Sequence, residues 1–288
     1  MSLESFLLAH ETAIRFGVLV STFGVMALWE IMAPLRAPDT SKGIRWSNHV
    51  MLAAINMALV RVLFPVAAVA LAIYASDQSI GLFNMIWAPY ALTFAAGVVL
   101  LDLTVYVFHL LFHSVPVLWR IHRVHHADLD IDVSTGVRFH PIQMVIAVII
   151  KSATILAFGL PPLSVLTFEI ASHSITLFNH GNVRVRPSVD RVLRWFIVTP
   201  DMHRVHHSIH RAETDSNFGF VLPWWDRMFG TYCAEPAAGQ ERMVVGIESF
   251  RTGRDLWLDR LVTNPVIDDR PKNTSGVPLL SRFWNRLW

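Results

Sequence analysis

The residues of this chain that could do chemistry are its histidines. Of 14 in 288 residues, ten fall into four groups. His109 and His113 are spaced i, i+4. His122, His125 and His126 form an HxxHH box, and His203, His206 and His207 repeat it almost letter for letter, MHRVHH against IHRVHH. His173 and His180 lie seven apart. On a helix each set falls on one face, with the side chains of the closely spaced members near enough to share a small ion. A structural zinc site closes with four ligands, and eight to ten imidazoles exceed that number, so two ions are implied. Imidazole suits zinc, copper, iron and nickel alike, and ligand type does not choose among them.

The remaining histidines read differently. His10, His49 and His210 stand alone and are expected to tolerate alanine, and His140, before Pro141, fits a hydrogen-bonding helix start. Two carboxylates sit inside apolar runs, where a charge needs a partner. Asp102 precedes His109 by seven residues and is either a snorkelling or interhelical contact or an acceptor for a ligating imidazole N–H that fixes its tautomer. Glu169, four before His173, invites the same reading more weakly. Lys151 and Arg61 are expected to reach an interface with their long stems.

The elements that must position these residues are membrane helices. The chain is 53% hydrophobic and only 16% charged, with a mean hydropathy of +0.43, where soluble domains are about 25% charged. A formal charge of +2 makes no general case for nucleic acid, and none is expected as a partner; ten Trp and 18 Phe suit interfacial belts. With Cys233 as the single cysteine, any metal is held by nitrogen and oxygen. Apolar stretches of spanning length cover residues 16–33, 87–113, 142–160 and 163–178, the last two joined by the tight FGLPP turn. A fifth, within 50–75, is interrupted by Arg61 and Pro65: a kinked helix, or a span after an interfacial helix. Arginine and lysine gather in 36–45, in 120–138 and after Asn179, whereas SDQSIG and FGLPP have none. By the positive-inside rule every histidine group then faces the cytoplasm. Five crossings would put the N-terminus outside and the C-terminus inside. The fold class expected is an all-α integral membrane bundle with a cytoplasmic histidine-rich cap holding a di-metal site. Residues 1–80 would supply N-terminal membrane helices, 81–232 the histidine-box domain and 233–288 a cytoplasmic or interfacial tail. In that tail Phe250, Leu256, Trp257 and Leu261 suit either a helix on the membrane surface or an ordinary packing helix.

A metal pair at the membrane face is placed to meet an acyl chain or sterol entering from the bilayer. Such substrates present unactivated C–H bonds, beyond the reach of side-chain acids and bases and within that of a redox metal acting with O2. DLTVYVFHLLFH, LWRIHRVHH, TGVRFHP, FNHGN and TPDMHRVHHS, followed by NFG and WWDRMFGTY, resemble the fatty acid hydroxylase/sterol desaturase superfamily, and its bacterial members most closely. The likeness covers roughly residues 90–232. It implies an integral-membrane, non-haem di-iron oxygenase of the bacterial inner membrane that hydroxylates or desaturates a lipid (sterol, hopanoid or fatty-acyl type). It implies two iron ions, which zinc can replace in purified protein. Electrons would come from a donor such as cytochrome b5 or ferredoxin. Carried over by position, His109, His113, His122, His125, His126, His180, His203, His206 and His207 match the histidine boxes. His173 falls where relatives also carry Asp or Asn, but it lies seven before His180 on the same helical face, so geometry permits it to ligate a metal as well. Gln143 stands where the family often has Glu, a departure not expected to touch the metals. Arg184, Arg186, Arg191 and Arg194 offer either a dock for an acidic electron donor or a lipid-headgroup-facing surface. The competing reading from another class is a membrane metal-binding or transport protein without oxygenase activity, which would need ionisable residues strung across the bilayer.

Overall fold

A computed structural model describes residues 2–267, and those residues are helical without a single strand. The membrane half runs α1 (Leu3–Ala9), α2 (Glu11–Met32), α3 (Lys42–Leu63), α4 (Ala68–Asp77), α5 (Leu82–Met85) and α6 (Tyr90–Ser114). After α7 (Pro116–His126), two more long helices follow, α8 (Pro141–Phe158) and α9 (Pro162–Asn179). Short helices make the cap: α10 (Pro187–Leu193), α11 (Pro200–His206), α12 (Arg211–Thr214), α13 (Trp224–Met228) and α14 (Leu258–Thr263). Proline sits in the first turn of α7, α8, α9, α10 and α11. There its missing N–H costs no hydrogen bond and its fixed φ favours entry into the helix. Three of those helices carry or lead directly into the histidines.

Among the described residues, four segments are long and apolar enough to cross a membrane: Glu11–Met32, Lys42–Met85, Tyr90–Ser114 and Pro141–Phe158. This set differs from the sequence expectation at two points. The doubtful second apolar segment is in it, as α3 and α4 separated by a non-helical link at Pro65. The segment at 163–178 is not. It forms α9, whose Glu169, His173 and Asn179 lower its hydropathy and whose neighbours are α2, α4 and α6. A helix enclosed by other helices has no need of a lipid-facing surface all round. The bundle is apolar on its outside, with Val25, Ile31, Met32, Met57, Val62 and Leu92 all more than half exposed, as a lipid solvent allows and water would not.

The core sits where α4, α6, α8 and α9 meet, around Leu101, Ile155, Leu160, Leu166 and Phe168. The two connections lacking basic residues touch each other at one end of the bundle. A side chain at Gly81 (φ 91°) would lie 2.1 Å from the backbone nitrogen of Gly159 (φ 62°), so only glycine fits there. The tail helix α14 packs rather than floats. Leu261 is fully buried against Leu52 and Val124, and Leu256 is buried while Trp257 remains half exposed. One face of α14 therefore packs on the protein; the part of the tail from 268 on lies outside the described residues.

Candidate metal centre

Nine imidazoles converge at the ends of α6, α7, α9 and α11, every one buried. They form two abutting groups. His109, His113, His122, His126 and His206 make the first, and His125, His180, His203 and His207 the second; within each, the candidate ligand atoms lie within 4.8 Å of one another. In the first, Nε2 of His122 is 3.1 Å from Nε2 of His109 and of His126, His113 is 3.1 Å from His126, and His206 is 3.0 Å from His109. In the second, His180 is 3.1 Å from His125 and from His203, and His203 is 3.3 Å from His207. The rings of His126 and His207 stack across the boundary with centroids 4.5 Å apart.

The boxes exchange a histidine. His122 and His126, one turn apart on α7, join the pair from α6, while His125 between them turns to the second group. His203 and His207 belong to the second group and His206 crosses to the first. The intervening arginines point the other way. Arg123 donates from Nε to Asn264 Oδ1 (2.9 Å) and from Nη2 to the carbonyls of Asn264 (2.6 Å) and Ile267 (2.7 Å). Arg204 donates to Asp201 (2.7 Å) and Gln240 (2.9 Å). Each HRVHH box is thus a helix face of ligands backed by a buried anchor and a buried valine.

Acceptors on the far side of the rings set the tautomer. Nδ1 of His109 donates to the carbonyl of Phe218 (2.8 Å), of His206 to Ser216 (2.7 Å), of His180 to Thr176 (2.7 Å) and of His122 to Oε1 of Gln143 (3.1 Å). A carbonyl only accepts, so these rings carry the proton on Nδ1 and turn the Nε2 lone pair inward. His113 Nδ1 lies 3.4 Å from Asp215. Nine inward nitrogens, several of them forced to be acceptors and crowded at hydrogen-bond distance, are compatible with one another when cations sit among them. Burial, together with the neighbouring rings, holds His122, His125, His126, His203, His206 and His207 well below the ordinary histidine value, and burial holds His180 at about 4. Neutral imidazole is the ligand form.

Five expectations from the sequence need correction. His173 stands outside both groups; it is exposed to a cavity in the bundle. Seven residues along a helix are about 10 Å of rise, too far for His173 and His180 to share an ion. The same length separates Asp102 from His109, and Asp102 touches no imidazole. It accepts from the backbone N–H of Val221 (3.2 Å) and Leu222 (3.3 Å) and from Trp225 Nε1 (2.8 Å). Gln143, set aside in the sequence reading, directly orients His122. Lys151 does not reach an interface; it turns inward to Glu169. His49 is no bystander either. Its Nδ1 is 2.9 Å from Ser134 Oγ and its Nε2 2.9 Å from Arg138. It belongs to a buried network in which Arg45 grips Asp128 with two bonds of 2.8 Å and Asp132 with one of 2.5 Å. His140 caps α8 as expected, accepting from the N–H of Ile142 (3.2 Å).

Asp226 escaped the sequence reading altogether. It accepts from the N–H of Phe218 and Gly219, both at 2.8 Å, and with Asp102 it fixes the loop whose carbonyls orient His109 and His206. Burial pushes its carboxyl up to about 6. The WWD string near NFG was its signal. On the cap, Arg184 pairs with Glu241 and Arg194 with Asp190, so the arginine surface is partly neutralised by the chain itself.

The cavity has a volume of about 520 Å³. Phe108, Phe112, Met144 and Leu177 are among its apolar walls, and His109, His122 and Gln143 close one end. A buried cluster of nine histidines thus borders an apolar chamber inside a bundle with membrane-spanning helices. A match to the family described as Fatty acid hydroxylase covers residues 94–231, the stretch holding all nine of these histidines. This match and the relatives below support the fatty acid hydroxylase/sterol desaturase superfamily. The chain is 31% identical to human alkylglycerol monooxygenase over 175 residues, 58% of this chain and 35% of that protein. It is 28% identical to ornithine lipid hydroxylase OlsE of Rhizobium tropici over 225 residues, 76% of this chain and 67% of that one. Human cholesterol 25-hydroxylase is 26% identical over 136 residues, 46% and 48% of the two chains. The chain thus spans about a third of the length of the first of these relatives and two thirds of the second. No solved structure matches it.

Proposed function

We propose that this protein is a membrane-bound di-iron monooxygenase that hydroxylates a lipid drawn from the bilayer. The observation that carries the reading is the apolar chamber ending on His109 and His122. The two histidine groups would hold two iron ions, which when bound supply the activation of O2 that no side chain provides. The reaction inserts one oxygen atom into a C–H bond and reduces the other to water, consuming two electrons and two protons. The chain's own part is to orient and to enclose. Phe218, Ser216, Thr176 and Gln143 fix the ring planes, so that the ligand nitrogens need no reorganisation on metal binding. Phe108 and Phe112 line the approach to His109 and keep water from the reacting carbon.

Hydroxylation is favoured over desaturation because the relatives named above are hydroxylases and monooxygenases. The electrons come from a separate donor, of the cytochrome b5 or ferredoxin kind, since the chain has no flavin, haem or iron–sulfur motif. The loop charges support a metal centre facing the cytoplasm of a bacterial inner membrane. Comparative lipid profiling of cells with and without the protein tests the reading. A lipid gaining one oxygen in an O2-dependent manner is the expected result. Loss of two hydrogens in its place would mean desaturation, and unchanged lipids under active expression would contradict the proposal.

A further inference from the structure

The chamber has a second, polar pole. On its wall, away from the metal end, Glu169 pairs with Arg15 and with Lys151, whose Nζ lies 3.4 Å from Oε1. Arg15 is held in turn by Glu11 at 2.8 Å. His173, on the same face of α9 as Glu169, opens into the same space. Lys151 is eight residues beyond Gln143 on α8, so this pole lies about 12 Å along the helix from the glutamine that touches His122. Ionic groups at such depth in a membrane bundle are costly, and they persist where they face a function.

We propose that this cluster binds the uncharged polar group of the substrate, a hydroxyl, and so fixes which carbon reaches the metal end. Three observations converge. The four ionised groups cancel, with Arg15 and Lys151 against Glu11 and Glu169, so an anionic head would leave an uncompensated charge where water is scarce. The cluster offers both donors (Arg15, Lys151) and an acceptor (Glu169), matching a group that both accepts and donates. And His173 presents an imidazole to the open space, ready to complete the contact. A lipid alcohol anchored there would place a carbon roughly 12 Å away, by the helix rise, beside His109 and His122. The ionic contacts of Glu169 also tie α2 and α8 to α9, but such a tie accounts for none of the exposure of His173.

The assignment rests on the chamber being the substrate site, and its test does not require turnover. The full-length protein in detergent is titrated with hexadecanol, hexadecane and hexadecanoate, in competition with a fluorescent fatty alcohol. Cholestanol against cholestane separates a ring-bound from a chain-bound hydroxyl. The alcohol of at least one pair should bind more tightly than its hydrocarbon, and hexadecanoate should not outcompete hexadecanol. His173→Leu should weaken alcohol binding about 2- to 10-fold, the range for one net hydrogen bond, with hydrocarbon binding and metal content unchanged. His173→Gln, which keeps a donor and an acceptor, should restore it, and Lys151→Met should act like His173→Leu. Equal binding of alcohol and hydrocarbon in both pairs, tighter binding of the carboxylate, or a preference untouched by both variants overturns the assignment. A preserved alcohol preference without any oxygenated product would sink the oxygenase reading and leave this one standing.

Discussion

The two histidine groups are built from nearly the same five-letter box and differ in what surrounds them. The first has five imidazoles, two of them on the wall of the chamber. The second has four, none of which lines the chamber, and it lies beside the buried Arg45–Asp128–Asp132 network. The first borders the chamber and the second does not. Their interlocking through His125 and His206 means that neither box makes a site alone. Each group is therefore complete only when α7 and α11 bring their histidines together.

The largest effects are expected at the crossing histidines. His125→Ala, on α7, should deplete the ion of the group built on α11, and His206→Ala the ion of the group built on α7. Each should lower turnover by about 100-fold or more, beyond the loss typical of an outer partner. Depletion of the ion on the same helix as the substitution would refute the exchange. Next in size is the support of the second group. Asp128→Asn leaves Arg45 and Arg138 facing a weakened partner; breaking such a buried pair costs about 3–5 kcal/mol, read as a lowered thermal midpoint in detergent. His49→Ala should act in the same direction, against the expectation from sequence. On the chamber side, Gln143→Leu should cost about 10- to 100-fold in activity through His122, with the second ion retained.

A smaller effect follows from protonation. Burial keeps His180 at about 4 and six other ligands well below 6.5, whereas the unfolded chain takes up protons near the ordinary histidine value of about 6.5. The unfolded state then binds more protons below that pH. Stability of the metal-free fold should be complete above about 6.5 and decline as pH falls below it, checked by thermal midpoints across that range. The smallest effects belong to His10 and His210, both exposed: alanine at either should leave activity and both ions in place.

Much of the site was legible because ligand spacing on a helix is local. HxxxH and HxxHH announce themselves wherever the helix goes, and nine of the ten named histidines meet. What was not legible depends on axial distance and on helix crossing. His173 and Asp102 were each paired with a histidine seven residues on, which shares a face but stands two turns away. The division into five and four needed the docking of α7 on α11. Carbonyl acceptors such as those of Phe218 and Ser216 carry no side-chain signature at all. For the fold, apolar length found the bundle but misjudged α9, whose surroundings are protein and so need no uniform apolarity.

If the two interlocked groups each hold one ion, metal content per chain reads it out most directly. Protein purified with iron and loaded to saturation should carry two ions per chain, falling to about one in His113→Ala and in His203→Ala, two positions in different groups. One ion per fully loaded chain, or loss of both ions from either variant with the fold intact, would contradict it.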